Sequence, residues 1–317
     1  SLAALVDSGR LVSVDPDTEF PGAKTSNPIS KACPRRRAVV EYFYHPARLN
    51  YPMKRIGKRG ENRWHIISWD EAFTEIGAQL RKIVDQYGPE AIATTSGTGR
   101  THDEIRARFF NILGSPNHIG AGEICYGPTC VLGYTLFGWR VFPVVRSNTR
   151  CIVLWGGGGP RYWDAFWRAA RKARRENEAK IIVIDPRRTD STSHADLWLQ
   201  IRPGTDCALA LGMIHHIIEE DLYDKEFVKK WCYGFDQLKT WVQSYSIDRV
   251  AEITWIPGPK MRQAAEWYAT LTPGVTNHGM GLEHQANSIQ ALHAHYILSA
   301  ITGNIDIPGG DIFPSPY

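Results

Sequence analysis

Cys151-Ile152-Val153-Leu154-Trp155, followed at once by Gly156-Gly157-Gly158-Gly159-Pro160, is the stretch that decides the fold class. A continuous apolar run of strand length ending in glycines reads as a strand buried on both faces. A helix is expected over about Trp163 to Asn177, and Lys180 to Ile184 reads as a second buried strand, stopped by Asp185-Pro186. A shorter strand, Leu197 to Ile201, ends at Arg202-Pro203-Gly204-Thr205-Asp206 and leads into a helix over Ala208 to Glu219. Strand, glycine turn, helix and strand in that order predict an α/β fold of the dinucleotide-binding type, with parallel sheets flanked by helices.

Toward the N-terminus, Ser68 is placed to cap a helix, with Glu71 three residues on and Ala72, Ile76, Leu80 and Ile83 recurring at helical spacing until Gly88-Pro89. A short strand over Ala91 to Thr95, a helix from about Asp103 to Leu113 and a glycine-rich loop to Cys125 follow. Residues 1–31 alternate short apolar runs with turn residues, which reads as a small β-rich segment. Toward the C-terminus, Asp224 to Ala269 is mostly helical, a strand leads to Asn277-His278-Gly279-Met280-Gly281, and a helix spans about Asn287 to Thr302. The expected organisation is a β-rich segment over 1–60, an α/β segment with the Cys125 loop over 61–150, a dinucleotide-binding domain over 151–275 and a return segment over 276–317. The tail Ile307-Pro308-Gly309-Gly310 reads as a loop cut in mid-course, so the chain is expected to continue in its parent protein.

The 317 residues, 43% hydrophobic and with 11 Trp, supply ample core. Lys and Arg number 37 against 33 Asp and Glu, too even a balance for a protein that binds nucleic acid by neutralising phosphates. The six cysteines form no Cys-x-x-Cys pair and no dense framework, which fits a reducing compartment or metal chemistry. No run approaches the roughly twenty apolar residues of a membrane-spanning helix. The cytoplasm is the expected location, with export left open because a leader could precede Ser1.

Three strand ends carry polar groups. Gly156 and Gly157 let a ligand approach the backbone; Asp185 can accept from a ribose or a guanine edge, with Arg187 and Arg188 placed for phosphate; Thr205 and Asp206 mark the third. Together they describe a nucleotide crevice, although a glycine cluster alone also suits an ordinary tight turn. The spacing Gly-x-Gly-x-x-Gly of a nicotinamide site is not met. Gly279-Met280-Gly281 with His284 suggests a second crevice, while His284 alone also fits a plain helix-start histidine. Cys125 lies between glycines in Gly-Ala-Gly-Glu-Ile-Cys-Tyr-Gly-Pro-Thr (120–129), where a thiolate could meet a soft metal; a lone cysteine is otherwise a small buried hydrophobe. Cys33, beside Pro34 and three arginines, sits in an electropositive setting.

In combination, several segments resemble the bis-molybdopterin-guanine-dinucleotide enzymes of the dimethyl-sulfoxide-reductase superfamily. They are Cys-Pro-Arg-Arg-Arg-Ala (33–38), Tyr-His-Pro-Ala-Arg-Leu-Asn-Tyr-Pro-Met-Lys-Arg (44–55), Arg-Trp-His-Ile-Ile-Ser-Trp-Asp-Glu-Ala (63–72), Leu113 to Asn117, the Cys125 loop, Trp155-Gly156-Gly157, Asp185 to Thr189 and Pro203 to Asp206. The resemblance implies that Cys125 ligates molybdenum or tungsten and that Cys33 is the last ligand of a 4Fe-4S cluster; its other three cysteines are absent from this sequence, so either they precede it in the parent chain or the cluster is lost. It puts Arg35 where the family usually has Lys, in an electron path between cluster and pterin. It assigns Gly156, Gly157, Asp185, Arg187, Thr189, Gly204 and Asp206 to one dinucleotide, and Gly279, Gly281 and His284 to the second. The family's C-terminal domain would follow Tyr317, and an isolated fragment would be inactive.

Within the superfamily, Arg63 through the Cys125 loop, Leu222 to Val228 and Ala251 to Thr254 look most like the acetylene hydratase branch and neighbouring sulfur-, arsenic- or phenol-converting reductases. A reductase would cycle the metal between oxidation states on a small-molecule substrate and exchange electrons with an iron-sulfur partner subunit. A hydratase would use the metal as a Lewis acid beside a carboxylic acid of raised pKa. His102 and Asp103 could approach the metal, although a helix cap and its neighbour is their plainer role. Redox chemistry is the expectation, by analogy with the superfamily. Hydratase chemistry and a noncatalytic cofactor-binding subunit are the alternatives.

Overall fold

The computed structural model describes residues 2–17, 34–97, 102–123, 125–157 and 164–313, and Cys33 lies outside them. By their contacts these fall into two units, one from the described residues of Ser1–Thr18 and Cys33–Glu123, the other from those of Ile124–Tyr317.

In the first unit, β1 (Leu2–Asp7) and β2 (Arg10–Pro16) form an antiparallel hairpin whose turn residues Ser8 and Gly9 both take positive φ, the geometry that matches strand twist. The Tyr44 hydroxyl, just past α1 (Val39–Phe43), accepts the Leu11 N–H at 2.8 Å and ties the hairpin down. Strands β3 (Met53–Arg55) and β4 (Trp64–Ile66) pair antiparallel. Helix α2 (Trp69–Tyr87) starts as its sequence predicts, with Ser68 Oγ accepting the Glu71 N–H at 3.1 Å, and stops at Gly88. The strand expected over Ala91 to Thr95 shortens to β5 (Thr94–Thr95), because Pro89–Ala91 winds into a 3-10 turn. It pairs in parallel with β6 (His118–Ile119) across α3 (Asp103–Leu113).

The second unit holds the sheet announced by the apolar runs. After α4 (Gly127–Phe137) and β7 (Phe142–Pro143) come β8 (Cys151–Trp155), α5 (Asp164–Asn177), β9 (Lys180–Ile184), β10 (Leu197–Leu199) and α6 (Asp206–Glu219). Then follow α7 (Lys225–Trp231), α8 (Phe235–Trp241), α9 (Ile247–Thr254), α10 (Gly258–Thr270), β11 (Gly274–His278), α11 (Met280–Glu283), α12 (Ser288–Ile301) and β12 (Asp311–Ile312). The main sheet is parallel throughout, in the order β10-β9-β8-β11.

Alternation along each strand feeds two cores. Cys151, Val153, Trp155, Ile182 and Ile184 face the larger one, with side chains of α6, α9, α10 and α12, while Ile152, Leu154, Ile181 and Val183 face Trp167, Ala170 and Ala173 of α5. Burial on both faces explains why these strands read as unbroken apolar runs. Helix α6 begins two residues earlier than expected, because Asp206 already sits in its first turn, where a carboxylate is favoured. Among the described residues no helix is long and apolar enough to cross a membrane.

Candidate functional site

The chain builds the sheet outward from β8 to β9 to β10 and then returns to lay β11 on the other side of β8. The carboxyl ends of β8 and β11 therefore flank a topological switch point, where loops leave in opposite directions and a crevice opens.

Gly156, at φ +60°, follows β8, and its N–H donates to Ile184 O at 2.9 Å. From the loop after β11, the Gly279 N–H donates to Trp155 O at 2.9 Å and the Gly281 N–H to Gly156 O at 3.4 Å. The two loops touch backbone to backbone. A Cβ on Gly279 would stand 2.6 Å from Gly156 O, and one on Gly281 would stand 3.0 Å from Gly156 Cα. The two glycine groups that the sequence suggests as separate crevices thus meet in one junction, and only glycine permits the approach.

A cavity of about 330 Å³ opens there, lined by Gly156, Asp206, Gly281 and His284 together with Pro186 and Pro203. Four of the sequence-derived candidates share it. Gly157, Asp185, Arg187, Gly204 and Gly279 adjoin lining residues in sequence without lining the cavity themselves, and Thr189 lies three residues past Pro186.

Asp206 is buried, and its carboxylate is fully engaged: Oδ1 accepts from Trp155 Nε1 at 2.8 Å and Oδ2 from Gln285 Nε2 at 3.0 Å. Burial pushes this carboxyl above its ordinary range, and Trp155, the residue's own backbone N–H and Gln285 pull it partly back. The Gln285 amide also donates to Gly281 O at 2.6 Å, so one side chain ties the β11 loop to the start of α6. Sequence reasoning missed Trp155 and Gln285 as site residues, since an indole inside an apolar run and an amide one residue past His284 belong to no recognisable spacing.

Asp185 is half-buried, accepts the Arg187 N–H at 2.8 Å and is also raised by burial. This local turn sends Arg187 and Arg188 outward, where both are exposed. The Thr189 hydroxyl is buried without a hydrogen-bond partner among the described atoms. A glycine cradle, two exposed guanidinium groups and an orphaned hydroxyl fit a phosphorylated nucleotide.

Cys125 is partly buried, between the short turn Ala121–Glu123 and α4. Tyr126, which follows it, holds the left-handed conformation at φ +69°, a bend uncommon outside glycine. The other described cysteines differ in setting: Cys130 has the Arg140 guanidinium 4.0 Å from its sulfur, and burial pushes the thiols of Cys151, Cys207 and Cys232 up. Among the described residues no three His, Cys, Asp or Glu side chains converge as a metal cage.

In the first unit, His102 precedes α3 without a side-chain cap bond, and Asp103 accepts from Ser96 Oγ and Arg106 Nη2, each at 3.3 Å. The Asp103 carboxylate is thus tied within its own unit. Arg35 is exposed in the 3-10 turn Pro34–Ala38.

Residues 48–315 match the family model described as molybdopterin oxidoreductase. The chain is 40% identical over 277 residues to acetylene hydratase of Syntrophotalea acetylenica, covering 86% of this chain and 38% of that protein. It is 32% identical over 326 residues to the dimethyl sulfoxide reductase DmsA of Escherichia coli, covering 89% and 39%. Among solved structures, acetylene hydratase from Pelobacter acetylenicus superposes with a TM-score of 0.80 at 36% identity, over 99% of this chain and 43% of that one. The chain spans about two fifths of the length of these relatives.

Proposed function

Because the chain belongs to the molybdopterin oxidoreductase family, whose members are enzymes, we propose that it is the cofactor-binding part of a molybdenum or tungsten enzyme with Cys125 as the protein ligand to the metal. The observation that carries this reading is the cavity at the switch point, with Asp206 and His284 on its walls and the glycine junction at its base. Its volume, about 330 Å³, lies at the lower end of small-molecule pockets, about 300 to 1,000 Å³.

In this reading Gly156, Gly157 and Gly281 admit the dinucleotide to close backbone contact, Asp206 and His284 face it, and Asp185 orients Arg187 toward its phosphates. Thr189 offers an otherwise unused hydroxyl. Two molybdopterin guanine dinucleotides follow from the sequence resemblance, and this cavity would receive part of one of them. A 4Fe-4S cluster ligated in part by Cys33, with Arg35 beside it, would exchange electrons with an iron-sulfur partner subunit. When bound, the metal supplies either a change of oxidation state or a Lewis acid for a small-molecule substrate.

Redox chemistry is the first reading, as the family description and the likeness to a dimethyl sulfoxide reductase support. The 40% identity to an acetylene hydratase favours a second, non-redox hydration. Metal and pterin analysis of the intact protein, followed by dye-linked electron transfer and alkyne hydration assays, separates them. Metal and pterin with dye reduction support the first reading; hydration without dye reduction supports the second; absence of both metal and pterin rejects the proposal.

A further inference from the structure

Helix α11 is a single turn with two differently used sides. Met280, Gly281 and the following His284 line the cavity, whereas Leu282 and Glu283 are buried. Glu283 Oε1 accepts a hydrogen bond from Thr129 Oγ1. Thr129 is fully buried in the first turn of α4, four residues past Cys125. The same hydroxyl lies 2.7 Å from Nε2 of His278, the last residue of β11, and that nitrogen lies 3.6 Å from Glu283 Oε1. With the imidazole proton on Nε2, His278 donates to Thr129 and Thr129 donates to Glu283 Oε1, while Glu283 Oε2 is buried without a partner among the described atoms.

We infer that Glu283, through Thr129, is a positioning residue that locks the Cys125 loop to the nucleotide crevice. The inference rests on the reading of Cys125 as metal ligand and of the cavity as nucleotide site. An apolar pair would hold α4 against α11 without the cost of burying a carboxylate, so this arrangement is not what packing alone would select. What the polar arrangement adds is direction, because a hydrogen-bonded hydroxyl accepts few geometries. The carboxylate is also kept charged: burial pushes Glu283 up, but the nearby His278 imidazole and the Thr129 hydroxyl more than offset it and leave it below the usual range. The neighbouring ring of His295, fully buried and 4.9 Å from that of His278, is pushed down by burial and stays neutral, so it brings no competing cation. Displacement of α11 by a nucleotide in the cavity would be passed through Glu283 to Thr129, and so to the bend at Tyr126 that carries Cys125.

The test uses the intact, metal-loaded protein and the variants T129V, E283L and T129S. Metal and pterin are counted per chain, and iodoacetamide labelling of Cys125 and of the fully buried Cys151 is timed by mass spectrometry. T129V and E283L are expected to keep metal and pterin yet label at Cys125 at least about tenfold faster, with Cys151 still protected, while T129S, which restores the hydroxyl, labels at the wild-type rate. Wild-type labelling of Cys125 in both T129V and E283L overturns the inference, as does joint exposure of Cys125 and Cys151 in both, which would mark a purely structural role. A wild-type protein without metal or pterin instead overturns the functional reading beneath it.

Discussion

Trp155 donates its indole N–H to Asp206 at 2.8 Å, joining the last residue of β8 to the first of α6 inside the core. This bond fixes the Asp206 wall of the crevice relative to the Gly156 junction. Replacing Trp155 with Phe keeps most of the ring and removes the donor. The buried carboxylate then keeps Gln285 as its one side-chain donor, and a stability loss of about 1.5–3 kcal/mol is expected from denaturant unfolding. A change smaller than about 0.5 kcal/mol would mean that the bond does not hold the wall.

Gly281→Ala places a methyl 3.0 Å from Gly156 Cα and 3.3 Å from Gly156 O, both backbone atoms with nowhere to go. A loss of about 1–3 kcal/mol is expected, together with lower pterin content. Gly77→Ala in α2 meets nothing within 4 Å and serves as the control, with a gain of up to about 1 kcal/mol. Equal behaviour of the two variants in thermal unfolding would contradict the close-approach account.

The parallel sheet was legible because burial on both faces leaves unbroken apolar runs, as in Cys151 to Trp155 and Lys180 to Ile184. The Ser68 cap was legible because its chemistry is local. The merging of Gly156 with Gly281 was not, because it depends on β11 returning beside β8, a pairing that no local spacing encodes. The roles of Trp155, Gln285 and Thr129 were hidden for the same reason: each partner is far away in sequence.

Arg187 is exposed, and its replacement by Ala should leave folding stability within about 0.5 kcal/mol of wild type. If its guanidinium meets a cofactor phosphate, the variant should nevertheless lose the pterin guanine dinucleotide faster on dilution. Unchanged release would remove Arg187 from the site.

Asp311 in β12 is fully enclosed, and burial pushes its carboxyl up to about 7, with donors from Thr276 and Ser299 only partly offsetting this. Its folded value lies above the unfolded one, so its proton favours the fold. That contribution is fully present below the ordinary carboxylate range and is lost as pH rises through about 7. Relative to Asp311→Asn, which cannot ionise, the wild type should lose up to about 1.4 kcal/mol per pH unit between the ordinary carboxylate range and about 7, and the difference should level off above that point. Urea unfolding of both proteins at several pH values between about 4 and 8 checks this, and a pH-independent difference across that window would contradict it.

If Cys125 holds a metal beside the crevice at the switch point, its sulfur belongs to the metal's coordination shell. X-ray absorption at the molybdenum and tungsten edges, on the intact protein and its Cys125→Ser variant, tests it most directly. A metal in the wild type with one more sulfur ligand than in the variant is the expected result. No metal at either edge, or an unchanged sulfur shell after the substitution, would contradict it.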